Sequence, residues 1–401
     1  MLRQFSRLAT RAIGLGALVL SAQFAAAQQP PVKVGLLVID SGPFAASAKD
    51  TEAAARAAVD ILNGEGGVLN RKIELVVQAH SGSPATAQAA ATRLVQQSGV
   101  TMITGQLPSS HALALVPRLS ALNVLLIDGY SQSADLMTRS CAANYFRVST
   151  PDPVITALLK QYVQDSGAKT WNVISVDYAA GQTFAKNFAE MVTSLGGNVQ
   201  MSLFAPFGTT DFGTYISQLS KPADGLMVTL FGSDAINFAK QQRQFGLFDK
   251  YKHVLGNGFA TEAELRSMGD NALGVLNGMS YHNSLPGKRN ADYVKAFEER
   301  VKRKPTYADA DIMVSLEMLR AAAQKANSIE VPQLKAALEG INADTIYGTV
   351  LMRAADHHLI RQHTLGQVVR TADGKGVEFN VKYVKQGADL YPPPSSECKP
   401  Q

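Results

Sequence analysis

The stretch VTMITGQLPSSHALALVPRLSALNVLLID, residues 100–128, decides the fold. It opens on an apolar run, Val100–Thr104, that stops at Gly105. A helical pattern follows over Ser110–Leu122, and a second apolar run, NVLLID, closes the stretch. Strand, helix and strand in so short a span is a βαβ unit, which places two parallel strands side by side. At the hand-over from strand to helix the chain gathers Ser109, Ser110 and His111. A serine there caps a helix, or it joins the free N–H groups of the helix start in holding an anion.

The same alternation runs in both directions from this unit. Upstream, VKVGLLVI (32–39) leads to a helix over 50–63 closed by NGEGG, then KIELVVQA and a helix over 84–97. Downstream, NYFRVSTPDP (144–153) marks a proline-punctuated crossing. Beyond it come helix 153–166, strand WNVISV, helix 182–195, strand 198–204, helix 212–219, strand GLMVTLF, helix 234–245 and strand KHVLGN. Parallel sheets covered on both faces give this pattern. A second crossing, LNGMSYHNSLPGKRN (276–290), precedes helices over 290–302, 309–326 and 332–339 and the strand-like pieces TVLMR, TLGQVV and VEFNVKYV. No low-complexity linker divides the chain, so the expectation is two α/β lobes entered more than once, with the helices over 290–326 returning to the first.

The N-terminus reads as an export signal over residues 1–27. Arg3, Arg7 and Arg11 precede an apolar run from Ala12 to Phe24, and Ala25-Ala26-Ala27 form a small-residue cleavage site before Gln28. The run is shorter than the roughly 20 residues of a membrane-spanning helix. Removing this segment lowers the formal charge from +5 to +2, so the basicity belongs to the signal and a nucleic-acid partner is not expected. Two cysteines, Cys141 and Cys398, in an exported chain predict a disulfide that pins the C-terminal tail to the middle of the chain; two free thiols are the alternative.

Signatures of catalysis are missing: the sequence has no G-x-S-x-G elbow, H-E-x-x-H pair, Walker loop or C-x-x-C motif. The cluster DHHLIRQH, with Asp356, His357, His358 and His363, lacks a usual ligand spacing, so no metal and no cofactor is expected. Position says more, because open α/β sheets bind ligands beyond the carboxyl ends of their strands. The segments that follow the strands are Ser41–Phe44, Gln106–His111, Asp128–Ser133, Asp177–Gly181, Phe231–Asp234 and Asn257–Phe259. They are small, hydroxylated or aromatic, and suit a small ligand with one anionic end and an apolar body.

At these residues the chain resembles the branched-chain amino acid binding proteins of ABC importers, the periplasmic receptors related to leucine/isoleucine/valine-binding protein. The likeness runs over VKVGLLVIDSGPFA, AAARAAVDILNGEGGVLNRKIELVV, GQLPSS, YFRVSTPD and FAKQQRQFGL. It implies the type I periplasmic binding protein fold, two Rossmann-like lobes with parallel sheets joined by three hinge crossings. The first lobe is then 28–147 and 282–355, the second 148–281 and 356–391, and 392–401 a tail. It also implies a monomeric, periplasmic, non-enzymatic receptor that closes on a small carboxylate-bearing solute, an aliphatic amino acid or an aromatic acid, and delivers it to ABC permease subunits. By the same resemblance Ser109, with Ser110 beside it, and Ser131, with Tyr130 beside it, fall where the family binds the ligand carboxylate, and Tyr178, Phe231 and Phe259 complete the expected site. The family's acid for a ligand ammonium is replaced by Gly258 and Phe259, with Glu262 a few residues on. Ser47 stands where an aromatic lid is common. Asp128, Asp135, Asp177 and Asp234 are the candidates to substitute for that acid. A sensory module for a membrane signalling partner, and a secreted hydrolase using Ser109 or Ser110 with His111, are the alternative functions.

Overall fold

In the first apolar run, Val34–Ile39 are buried without interruption, as a strand covered on both faces requires. The computed structural model describes residues 29–385 and 387–400; the expected export segment lies outside them. Strand β1 (Val32–Ile39) pairs in parallel with β2 (Ile73–His80) and β3 (Met102–Gly105), followed by β4 (Leu125–Asp128) and β5 (Tyr145–Arg147), in the order β2-β1-β3-β4-β5. Helices α1 (Ala45–Gly64), α2 (Pro84–Ser98), α3 (Ser109–Leu115) and α4 (Leu119–Leu122) make the connections. The helix expected over 110–122 is split by a 3₁₀ turn at Val116–Arg118, because Pro117 has no N–H to donate and its ring crowds the preceding turn. Gly105, at φ +126°, lies so close to β1 that a Cβ would stand 2.1 Å from the Leu37 carbonyl oxygen.

The second lobe repeats the plan. Strands β6 (Thr170–Val176), β7 (Asn198–Ala205), β8 (Gly225–Thr229), β9 (His253–Asn257) and β10 (Leu276–Met279) lie in the order β7-β6-β8-β9-β10, all parallel. Helices α5 (Asp152–Ser166), α6 (Ala179–Ser194), α7 (Gly213–Leu219), α8 (Gly232–Gln244) and α9 (Glu262–Met268) cover it. The chain then returns. Helices α10 (Lys288–Val301), α11 (Tyr307–Ala326) and α12 (Val331–Leu338) bury Tyr293, Phe297, Met313 and Leu334 in one core with Val32, Val34 and Phe146 of the first lobe. Thr306 and Asp309 close a capping box at the start of α11, the side chain of each bonded to the backbone N–H of the other.

Both sheets end in antiparallel strands, so they are mixed. Strands β11 (Asn342–Thr345), β12 (Gly348–Arg353) and β13 (His358–Ile360) extend the first sheet beyond β5, and β14 (His363–Arg370) and β15 (Val377–Lys385) extend the second beyond β10. Because β13 pairs with β5, the last change of sheet comes after Ile360, a correction to the boundary expected at 355/356. The sheets are therefore connected at residues 148–151, 280–287 and 361–362.

Arg361 ties these connections together. Its guanidinium, fully buried, donates to the Val148 carbonyl (3.3 Å), to the Thr150 hydroxyl (3.1 Å), to the Ser280 carbonyl and to Asp311 on α11 (3.0 Å), and it lies 4.2 Å over the Tyr347 ring. The tail adds a further link. Leu390 and Tyr391 pack into the second lobe's core, the Arg353 guanidinium on β12 donates to the Pro392 carbonyl (2.9 Å), and Cys398 is disulfide-bonded to Cys141 of the first lobe. The disulfide expected from the sequence is present.

Candidate ligand-binding site

Each lobe has its topological switch point where the strand order reverses, at β1/β3 and at β6/β8, and the carboxyl ends of both sheets face one cleft. A space in this cleft is walled from the first lobe by Phe44, Pro108, Ser109, Tyr130, Gln132 and Tyr307, and from the second by Tyr178, Ala180 and Phe231. Of these nine residues five are aromatic and none is charged, so the space suits an apolar body with few polar anchors. All but Tyr307 follow directly from the ends of β1, β3, β4, β6 and β8.

Ser109 does not cap its helix. It is the first residue of α3, and its Oγ accepts the N–H groups of Gln132 (3.2 Å) and Ser133 (3.1 Å). The hydroxyl hydrogen remains as what Ser109 can offer, beside the first N–H groups of α3, which have no intrahelical acceptor. Ser131 is turned the other way. Its hydroxyl donates to the Leu107 carbonyl (2.7 Å), its N–H to Asp128 (3.0 Å), and its carbonyl accepts from Arg147 and Ser149. A carboxylate needs donors, and the one hydroxyl hydrogen of Ser131 is already committed inside the lobe, so its expected place in the carboxylate cradle is corrected. The neighbouring Gln132 takes the cleft position instead. Ser110 is half-buried and lies outside this wall.

The aromatic wall is built from both lobes. Tyr130 meets Phe44 edge-on (ring centroids 5.9 Å apart), Tyr178 stacks near Phe231 (6.2 Å), and Phe44 and Tyr178 both contact Phe207. Burial pushes the phenols of Tyr130, Tyr178 and Tyr307 above their ordinary range, so they are neutral hydrogen-bond donors at physiological pH. Gly258, at φ +63°, places its α-carbon against Phe231; a Cβ there would stand 2.2 Å from the ring. Phe259 is fully buried between Phe238 and Phe248 in the second lobe's core, and leaves the expected site for that reason.

Two further spaces adjoin the first. A larger one, about 270 Å³, adds Ser47, Gln106, Thr261 and Glu264, and its rim carries the Arg266–Asp50 ion pair (3.1 Å) between the lobes. A third, small one shares Gln132 and Tyr307 with the aromatic space and reaches Asn257, Glu262 and Asn277. Burial pushes the Glu262 carboxyl up to about 8 and that of Glu264 to about 7. The four aspartates proposed from sequence are engaged elsewhere. Asp128 accepts from Tyr130 N, Ser131 N and the Tyr145 hydroxyl, and Asp234 from Gly208 N and Ser233; Asp135 pairs with Arg139, and Asp177 accepts from Gln182. Among the described residues no group of histidine, cysteine and carboxylate side chains is arranged to hold a metal ion. His357 stacks on Phe146, and His358 and His363 pack against Tyr391.

Two mixed α/β lobes closing on a shared cleft define a solute-binding clamshell. A family profile described as "Periplasmic binding protein" matches residues 31–375, and the chain belongs to that family. It is similar to Leu/Ile/Val-binding protein homolog 6 of Brucella melitensis, at 26% identity over 387 residues, covering 92% of this chain and 96% of that protein. Among solved structures it is similar to an ABC transporter solute-binding protein from Rhodopseudomonas palustris in complex with 3,4-dihydroxybenzoic acid (TM-score 0.81, 21% identity, 89% of this chain and 98% of the other). It is also similar to the closed leucine-, isoleucine-, valine-, threonine- and alanine-binding protein of Brucella ovis (TM-score 0.81, 17% identity, 92% and 99%). These likenesses show the type I periplasmic binding protein fold.

Proposed function

We propose that this chain is a non-enzymatic periplasmic receptor that captures a small aromatic carboxylate between its lobes and delivers it, as a monomer, to the permease of an ABC importer. The carboxylate rests on the Ser109 hydroxyl, the Gln132 side chain and the N–H groups at the start of α3, and the ring lies among Phe44, Tyr130, Tyr178, Phe231 and Tyr307. One observation carries the reading: the wall of this space is aromatic from both lobes and holds no charged side chain. An α-ammonium there would be buried without an anion, which is costly. Closure then follows binding, because only the closed form offers the ligand contacts from both sides. The dihydroxybenzoate complex and the Leu/Ile/Val-binding homologs mark both ligand classes in proteins of this kind.

Glu264 favours a second reading, an aliphatic amino acid whose ammonium reaches the larger adjoining space and holds that carboxyl ionised. Calorimetric titration with 4-hydroxybenzoate and with leucine separates the two. The aromatic reading expects saturable heat with the benzoate and none with leucine; the reverse result overturns it. For the hydrolase alternative, Ser109 Oγ is engaged by two backbone N–H groups, while the His111 ring faces His80 at 5.3 Å and burial pushes its pKa down to about 4. That is not a nucleophile–base pair. For the sensory alternative, no helix among the described residues is long and apolar enough to cross a membrane.

A further inference from the structure

Phe207 is an aromatic side chain left outside the core of its own lobe. It sits in the loop between β7, the edge strand of the second sheet, and α7, and it is 39% exposed. Among the described residues its ring meets two others. One is Tyr178 of the same lobe, with centroids 5.8 Å apart; the other is Phe44 of the first lobe, at 4.9 Å. Phe44 and Tyr178 wall the aromatic space, whereas Phe207 does not reach it. The rings of Tyr130, Phe44, Phe207, Tyr178 and Phe231 thus form one chain of contacts, which crosses between the lobes at a single step, Phe44 to Phe207. Each side of that step is pinned within its lobe. Gly208 donates its N–H to the Asp234 carboxyl on α8 (2.8 Å), and the Thr209 hydroxyl donates to the Pro206 carbonyl (2.6 Å). The Gln241 carboxamide accepts from the Phe212 N–H and donates to the Thr210 carbonyl, both at 2.8 Å. Across the cleft, the Ser47 hydroxyl donates to the Phe44 carbonyl (2.8 Å) and accepts from Gln106 (2.7 Å), and the turn Gly42–Phe44 packs on α8.

We propose that Phe207 is a latch: by its contact with Phe44 at the solvent edge of the cleft it holds the lobes shut over the bound solute, without touching the solute. The proposal rests on the reading of the chain as a receptor that closes on its solute, and not on which solute it holds. Opening the cleft parts the two rings and returns apolar surface to water, while the contact itself lies within the centroid range of favourable aromatic pairs. Because the loop and the turn are already fixed, the rings meet with little further loss of conformational freedom. A residue that acts on closure alone changes how long every solute stays, and by one common factor. A residue of the wall, which meets the solute, changes the preference among solutes instead.

The test uses the mature chain and two probes from each solute class: benzoate and 4-hydroxybenzoate, leucine and valine. Stopped-flow release is measured for those that the native protein binds. Phe207→Ala is expected to speed release by about three- to tenfold, the range of one aromatic pair. The factor is the same for both members of the bound class, and their Kd ratio stays at the native value. Phe207→Tyr keeps the ring and directs its hydroxyl to water, so it releases at the native rate. In a Phe44→Ala background Phe207→Ala has no further effect, because the partner ring is already gone. The Tm of ligand-free Phe207→Ala stays at the native value; a fall of several degrees shows that the ring serves the fold and overturns the latch. Native release from Phe207→Ala, a factor that differs between the two probes, release from Phe207→Tyr as fast as from the alanine variant, or an undiminished effect in the Phe44→Ala background also overturns it, with the receptor site left standing. A native chain that binds none of the four probes removes the receptor site as drawn, and the latch with it.

Discussion

Ser109→Ala is expected to weaken both the fold and the ligand site, and the two effects have separate sizes. In the native chain Ser109 Oγ accepts the N–H groups of Gln132 at 3.2 Å and Ser133 at 3.1 Å. Alanine leaves two N–H groups without their acceptor. At about 1–3 kcal/mol for each buried group, with part of the loss recovered as the loop shifts, a destabilisation of about 2–4 kcal/mol follows. With an unfolding entropy of about 2.1 cal/mol/K per residue, a chain of this length has a slope near 0.8 kcal/mol per degree, so Tm falls by about 3–5 °C. Binding loses the hydroxyl that donates to the carboxylate, worth about 1.5–3 kcal/mol for a charge-assisted bond, or roughly 10- to 150-fold in Kd. Differential scanning calorimetry reads the first effect and isothermal titration with the best-binding benzoate the second. Gln132→Ala is the partner experiment, expected to weaken binding with little change in Tm. Ser131→Ala gives up only the bond to the Leu107 carbonyl, so its Kd stays at the native value. An unaltered Tm in Ser109→Ala refutes the loop-holding role, and a Kd lost in Ser131→Ala but kept in Ser109→Ala refutes the cradle.

Gly258→Ala places a methyl 2.2 Å from the Phe231 ring at a backbone φ of +63°; it costs about 1–2 kcal/mol in backbone strain and drives Phe231 into the ligand space, so binding is lost in titration while circular dichroism stays native. Arg361→Met strips Asp311 of its buried partner and is expected to destabilise by about 3–5 kcal/mol, whereas Arg361→Met with Asp311→Leu recovers most of that loss; equal Tm values for the two variants refute the pairing. Removing the Cys141–Cys398 bond with paired serines, a closure between positions 257 residues apart, is expected to cost about 2–4 kcal/mol and to bring the oxidised protein's Tm down to that of the native chain under reductant. The Glu262 carboxyl has its pKa raised to about 8 by burial, against an ordinary value of 4.5. The folded state therefore binds more protons between these values, and stability falls as pH rises through them. In Glu262→Gln this contribution is absent, so the variant gains on the native protein from pH 5 to pH 8, and parallel Tm profiles refute the assignment.

The alternation of apolar and amphipathic segments carried the two-lobed architecture because its elements are long, and each buries a continuous face or stripe. What escaped was short or set by contacts distant in sequence. Strand β10, LNGM, reads as a turn in isolation and is a strand only because β9 and β14 flank it. Strand β13 has three residues and joins β5 at the single pair His358–Arg147, so the residues around 356–360 carry no local sign of which sheet they enter. Pro117 was legible as a kink in the helix over 110–122, but its ending of α3 at Leu115 and its turning of Val116–Arg118 into a 3₁₀ turn were not.

The cleft was legible as segments and illegible as side chains. The rule that ligands lie beyond strand ends selected stretches that all contribute to the cleft, from Phe44 through Gln106, Tyr130 and Tyr178 to Phe231 and Gly258. Which side chain in a turn faces outward depends on how the turn is pinned. Asp128 takes the N–H groups of Tyr130 and Ser131, and Ser109 takes those of Gln132 and Ser133. Together they turn the Ser131 hydroxyl inward and leave Gln132 on the wall, a result that needs both partners in place. The left-handed Gly258 likewise sends Phe259 back into the core and leaves room for the Phe231 ring. Tyr307 had no local signal at all: it begins a helix that reaches the cleft only because the chain has gone back to its first lobe. A binding site between two lobes is thus under-determined by any one segment, and the residues that sequence alone misplaces are those whose orientation is fixed by a hydrogen bond from a distant strand end.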